Sequence, residues 1–202
     1  MAEEFKIVVI TPEKDMMEEP AIITGLFQAG LQSLHIRKPD HTRLTIKNLL
    51  LSIPKDFHSG IVLHQHYDLL DEFELKGAHL PEKRRKEHDT YGIRNIISTS
   101  FHKLEDITRE RTNFEYAFFS PVFRSISKKG HESSVELKTL KVFFESHTPT
   151  LRFPIIALGG ISEQNILTAK DIGFGGGACI GYIWENPDPV QQFKKIQNLL
   201  KG

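Results

Sequence analysis

Cations, hydroxyls, histidines and paired glycines recur just after short apolar runs in this 202-residue sequence. Arg37 and Lys38 close the run 33–37 (SLHIR), His64 and Gln65 follow 60–63, and His79 sits inside 77–80 (GAHL). Ser100 follows 95–99, while Ser125, Ser127 and Lys128 lie in the hydroxyl-rich, basic stretch after 115–119. Gly159-Gly160 follows 153–158 (FPIIAL), and a second glycine turn stands at Gly181-Tyr182. Guanidinium, ammonium and hydroxyl groups hold phosphate or carboxylate, and glycines let bare backbone N–H groups approach an anion. Histidines move protons near neutral pH, so His35, His64 and His79 are the candidate catalytic groups. A metal set of His64, His66 and His79 is the less favoured alternative, since no carboxylate near them joins and no helical H-x-x-x-H spacing is present. The expectation is therefore no metal ligand.

For these groups to act together, the runs that carry them must be strands ending on one side. The runs 6–10, 33–37, 60–63, 77–80, 95–99, 115–119, 153–158 and 178–183 are apolar enough to be buried on both faces. Between them lie segments with apolar residues at helical spacing, among them Ile22, Ile23, Leu26 and Phe27, then Leu44, Ile46, Leu49, Leu50 and Ile53, then Ile166, Leu167 and Ala169. Asp40, Ser162 and Asp188 stand where helix N-caps belong, Pro189 at a first helical position and Gly173 at a left-handed C-cap. Strand and helix alternate eight times at roughly 25 residues per unit, which predicts a single (β/α)8 TIM barrel over residues 1–202, with chemistry on the loops after the strands. In that fold His35, alternating with Leu34 and Ile36, points into the barrel.

Composition excludes several classes. Lys plus Arg and Asp plus Glu are equal at 26 each, so no global field favours nucleic acid. The one cysteine, Cys179, falls in a buried run, which excludes an internal disulfide and fits a reducing, cytoplasmic setting. No apolar run approaches the ~20 residues that cross a bilayer. A homo-oligomer is compatible with the sequence.

The ordered segments Ile7-Val8-Val9-Ile10-Thr11, His35-Ile36-Arg37, Gly77-Ala78-His79-Leu80, Ser100-Phe101-His102, Pro121-Val122-Phe123 and Ala157-Leu158-Gly159-Gly160-Ile161 resemble thiamine phosphate synthase and its TenI-type relatives over nearly the whole chain. The resemblance implies a phosphorylated thiazole as ligand. A synthase would in addition take a hydroxymethylpyrimidine pyrophosphate, with Mg²⁺ carrying the departing pyrophosphate. A TenI-type relative would tautomerise a thiazole phosphate carboxylate with no cofactor. Carried over by position, Arg37 and Ser100 match the pyrophosphate site, and Ser125, Ser127 and Lys128 match the family's Thr-x-Thr-Lys. Gly159, Gly160 and Gly181-Tyr182 match the thiazole phosphate site.

The departures decide between these activities. Where synthases place Asn-Asp after the third strand, this chain has His64-Gln65, and the second metal-binding aspartate falls on Arg84. The family's lysine after Arg-Glu falls on Pro39, with Lys38 one residue earlier as the substitute. Mg²⁺ needs hard anionic oxygens, so these replacements favour the TenI-type role over the synthase, and Mg²⁺ is expected only in a true synthase. The tautomerase histidine after the sixth strand is Pro121 here, leaving His35, His64 or His79 to act. A non-catalytic protein that binds a thiazole or thiamine phosphate is the alternative from another class. An unrelated isomerase or aldolase barrel lacks its base or strand lysine here.

Overall fold

The structure is a computed structural model that describes residues 4–123 and 135–201. Eight parallel strands close into a barrel in sequence order: β1 (Lys6–Ile10), β2 (Leu34–Ile36), β3 (Ile61–Leu63), β4 (Gly77–Leu80), β5 (Ile96–Phe101), β6 (Tyr116–Phe119), β7 (Ile155–Leu158) and β8 (Gly176–Cys179). Pairing of Lys6 with Gly176 and Val9 with Cys179 completes the ring. Between the strands run α1 (Glu19–Gln28), α2 (Arg43–Leu51), α3 (Leu69–Phe73), α4 (Glu82–Lys86), α5 (Leu104–Arg109), α6 (Leu137–His147) and α7 (Ile166–Ile172). After β8 come α8 (Gly181–Trp184) and α9 (Pro189–Lys201). The eight-stranded TIM barrel read from the sequence is the observed fold.

Two apolar layers follow from the strand period of two. Val8, Ile10, Val62, Ile97, Tyr116, Phe118, Ile156 and Ala178 pack together inside the barrel. Their strand neighbours Val9, Leu63, Ala117, Phe119 and Ala157 pack outward with the helices. Each fully buried Leu, Ile or Phe contributes ~1.5–3 kcal/mol, so the outer layer, fed by Ile23, Leu26, Leu50, Leu140 and Phe193, supplies most of the hydrophobic stabilisation. His35 stands in register with Ile10 on one side and Val62 on the other, which places it on the inner face. Trp184 joins α8 to the barrel rim by donating its indole N–H to the carbonyl of Ile10 at 2.8 Å.

Several local expectations are corrected. The run 178–183 does not continue as a strand: β8 ends at Cys179, and Gly181–Trp184 turns into α8. The cap of α2 is Thr42, whose hydroxyl accepts the N–H of Thr45 at 3.2 Å, rather than Asp40. Leu44 and Leu167 lie on exposed faces, since α2 buries Ile46 and Leu50 and α7 buries Ile166, Ala169 and Ile172. Gly173 does take the left-handed C-cap, φ 115°, where an added Cβ would stand 2.7 Å from Cβ of Phe144. Asp188 accepts the N–H of Gln191 at 3.0 Å ahead of Pro189. Among the described residues no helix is long and apolar enough to cross a membrane.

Candidate active site

The C-terminal ends of β2, β3 and β4 bring three imidazoles together. His35 and His64 share a hydrogen bond between Nδ1 and Nε2 at 2.9 Å. The rings of His64 and His79 stack with centroids 4.1 Å apart. Hydroxyls hold the outer nitrogens: Tyr116 Oη lies 2.5 Å from Nε2 of His35, and Ser98 Oγ lies 2.9 Å from Nδ1 of His79. Tyr116 in turn bonds Ser33 Oγ at 3.1 Å, so a chain of protonatable groups runs from the mouth to the barrel floor. Ser100 Oγ is 3.1 Å from Nε2 of His79, at the end of β5.

Register explains this convergence. His79 pairs with Ser98, and Ser98 with Tyr116, so adjacent strands deliver one polar patch to the inner face. His35 and His79 are buried, whereas His64 is half-buried and reaches the mouth. Burial first, then the closeness of the rings and of the Arg37 and Lys76 charges, holds His35 and His64 well below the usual imidazole range. Burial and Arg37 bring His79 down to about 3. All three rings are therefore neutral near pH 7. Burial also pushes the Cys179 thiol up to about 12, and the thiol is chemically inert.

The cations named from the sequence part company. Arg37 stays at the mouth, half-exposed, and pairs with Glu13 on the β1–α1 loop. Lys38 turns inward with its side chain only 1% exposed: its ammonium meets Glu19 at 3.0 Å and the carbonyls of Pro12 at 3.1 Å and Lys14 at 3.0 Å. It is spent within the protein. The amide of Gln65 donates to the carbonyl of Lys38 at 2.5 Å. Ser125, Ser127 and Lys128 lie outside the described residues.

The glycine turns stand at the ends of β7 and β8. Gly159 and Gly160 both have positive φ, 99° and 64°, and Pro121 Cα would lie 3.1 Å from an added Cβ at Gly159. Ser162 does not cap α7 as its sequence position predicts, since the N-cap position falls at Asn165; Ser162 Oγ instead accepts from Gln164 N and Asn165 Oδ1 from Ser162 N, closing the turn ahead of the helix. Among the described residues no acceptor takes the N–H of Gly160, Gly181 or Tyr182. Tyr182 Oη donates to Glu163 at 3.1 Å.

At the positions where a synthase-type Mg²⁺ site would need carboxylates, the structure offers none that is free. Gln65 is committed as above, and Arg84 is bound to Asp89 at 2.8 Å and to the carbonyl of Tyr91 at 3.0 Å. These residues do not fit that ion. Sequence reasoning also missed the acids Glu13 and Asp15 of the β1–α1 loop and Glu19 at the start of α1, which look like solvated charges until Arg37 and Lys38 fold onto them. It missed Tyr116 too, though a tyrosine sharing the inward parity of Phe118 is a readable signal. A cavity of about 640 Å³ opens at the opposite end of the barrel, between Lys6, Ser33, Lys76 and Tyr116. It lies away from the glycine turns and from Arg37, and strand C-terminal ends are where such barrels react.

Comparison with known proteins gives the family. The sequence matches the family described as thiamine monophosphate synthase over residues 7–183. The thiamine-phosphate synthase of Limosilactobacillus reuteri is 27% identical over 151 residues, 71% of this chain and 68% of that protein. The crystal structure of thiamine phosphate pyrophosphorylase from Bacteroides thetaiotaomicron superposes with a TM-score of 0.82 at 31% identity, covering 98% of each chain. The Pyrococcus furiosus pyrophosphorylase, at 17% identity and a TM-score of 0.77 over 99% of this chain and 97% of its own, shares the fold. With one family match spanning most of the barrel and a solved relative aligned end to end, the chain belongs to the thiamine monophosphate synthase family.

Proposed function

We propose that this chain binds a hydroxyethylthiazole phosphate carboxylate at the barrel mouth and acts on it as a TenI-type, Mg²⁺-independent tautomerase of the ring. The observation that carries this reading is the replacement of the metal carboxylates by Gln65 and Arg84, both engaged with protein partners, beside three neutral imidazoles. The N–H groups of Gly160, Gly181 and Tyr182, unpaired among the described residues, would take the phosphate, with Arg37 at the opposite rim for a carboxylate. A neutral imidazole is a competent base, and His64 is the ring that a ligand at the mouth meets first. The hydrogen bonds from His64 through His35 to Tyr116 let a proton taken at the mouth be shared inward. A cytoplasmic setting accords with the buried thiol of Cys179.

A second reading, condensation of a pyrimidine pyrophosphate with the thiazole phosphate, is favoured by the names of the relatives, including the 31% identical Bacteroides protein. One assay separates the two: thiamine phosphate formation and thiazole isomerisation are followed with millimolar Mg²⁺ and with EDTA. The expected result is isomerisation in both media and no coupling, with Mg²⁺-dependent coupling emerging only in a Gln65→Asp, Arg84→Asp variant. Robust Mg²⁺-dependent coupling by the natural chain would overturn the proposal. Saturable binding without either turnover would assign the chain a binding-only role.

A further inference from the structure

We propose that His35, His64 and His79 form a three-imidazole site for a borderline divalent transition ion of the Zn²⁺ or Co²⁺ type. One ring nitrogen from each residue lies within 4.8 Å of the other two. Zn–N bonds of about 2.0–2.1 Å in a tetrahedral arrangement put ligand nitrogens roughly 3.3 Å apart. The His35–His64 pair at 2.9 Å would open by a few tenths of an ångström, and the third nitrogen would close in by up to about an ångström and a half. This departs from the sequence expectation of no metal ligand and from the set that included His66, whose Nε2 instead meets the carbonyl of His41 at 2.8 Å.

The surroundings are those of a ligand set. A metal-bound histidine is oriented by a hydrogen bond from its other ring N–H. His35 has that partner in Tyr116 Oη, which is itself tied to Ser33, and His79 has it in Ser98 Oγ. Each ring thus keeps its second nitrogen for an ion, and on His79 that nitrogen faces Ser100 Oγ, an oxygen at the mouth. Imidazole selects Zn²⁺, Co²⁺, Ni²⁺ or Cu²⁺ over Mg²⁺. The nearby cations are Arg37, matched by Glu13, and Lys76, matched by Glu115 at 3.5 Å. Entry is through His64, the half-buried member of the three.

An ion on these nitrogens displaces the shared His35–His64 proton, so metal binding and imidazole proton transfer exclude one another. That consequence rests on the proposed function; the site itself does not. The test uses the full chain, freed of any polyhistidine tag and stripped with a chelator, titrated with Co²⁺ in the absence of thiazole. The expected result is visible d–d absorption saturating at one Co²⁺ per chain, displaced by Zn²⁺ and unaffected by Mg²⁺, with a melting temperature raised by Zn²⁺. His64→Asn, a change at a half-buried position, should weaken binding by at least about 100-fold, and Tyr116→Phe, through loss of the orienting bond, by about tenfold. Circular dichroism checks that both variants are folded. No absorption, or equal absorption in His64→Asn, would overturn the site. Tight Co²⁺ binding with isomerisation unaffected by Zn²⁺ would uphold the site and overturn the imidazole mechanism of the proposed function.

Discussion

Lys38→Met is the substitution that separates what the sequence suggests for this residue from what the fold does with it. A lysine at the mouth would bind phosphate and matter little for stability. The structure instead buries its ammonium against Glu19 at 3.0 Å, with two carbonyls at 3.1 and 3.0 Å and the exposed Asp15 at 3.5 Å. Removing one partner of a buried pair leaves the other uncompensated, at a cost of about 3–5 kcal/mol. For a chain of this size each kcal/mol moves the melting temperature by about 2–4 °C, so the drop should be roughly 6–20 °C by calorimetry. Glu19 has an escape, because burial already raises its pKa and loss of Lys38 removes the group that opposes the rise. A carboxyl whose folded pKa lies above its unfolded value is favourable at low pH and loses that advantage as pH rises through the folded value. The deficit of Lys38→Met should therefore be smaller at pH 5 than at pH 8, and adding Glu19→Gln should recover about 1–3 kcal/mol of it at pH 8. A variant that melts within about 2 °C of the parent and binds phosphate more weakly would refute this reasoning.

The buried imidazoles give stability its own pH signature. Their folded pKa values lie below that of an unfolded histidine, about 6.5, so the stability they confer is complete above that pH. It is lost on acidification towards the folded value, about 3 for His79. Three such groups sum to about 4 kcal/mol lost by pH 5.5, and urea melts should show a slope about one third shallower in His35→Gln. Gly173→Ala should destabilise the barrel by about 2–4 kcal/mol, since it forces a Cβ to 2.7 Å from Phe144 at a left-handed φ; a loss under 1 kcal/mol would mean that α6 and α7 can part freely. Crystals soaked in phosphate should show the anion on the N–H groups of Gly160, Gly181 and Tyr182, and Arg37→Ala should weaken binding of a carboxylated thiazole phosphate about tenfold or more by calorimetry, as loss of a hydrogen bond to a charged group does.

What the sequence discloses and what it hides follow one rule. Strand positions and the inward parity of His35 were legible, because burial on both faces writes itself as short β-branched runs and period two. The barrel followed from counting such runs. Helix faces were read less well where two apolar residues stand one or two positions apart: Leu44 and Ile46, or Ile166 and Leu167, cannot all face inward, and only packing decides between them. The end of β8 was misplaced because Ile180 and Ile183 are apolar for different reasons, Ile183 as a buried residue of α8 and Ile180 at its exposed start. Hardest to foresee were the partners supplied from far along the chain. Nothing local in Lys38 distinguishes a phosphate ligand from an ammonium captured by Glu19, nineteen positions earlier.

The order of the strands constrains what the mouth can hold. In a closed ring of eight, β7 and β8 stand four places from β3 and β4, so the glycine turns and the imidazoles face each other across the barrel. The interior between them is filled by buried side chains such as Phe118, Tyr116 and Ile10, so a ligand bridges the two sides over the top. Among the described residues the β7–β8 side presents unpaired N–H donors, while the β2–β4 side presents neutral imidazoles, with the paired Arg37 guanidinium at its rim. An anionic group is therefore favoured on the glycine side and a ring bearing an exchangeable proton on the histidine side. A short phosphorylated heterocycle meets both demands at once. On the proposed function, a ligand lacking the phosphate should lose turnover as well as affinity, because the remote anion would hold the ring against His64.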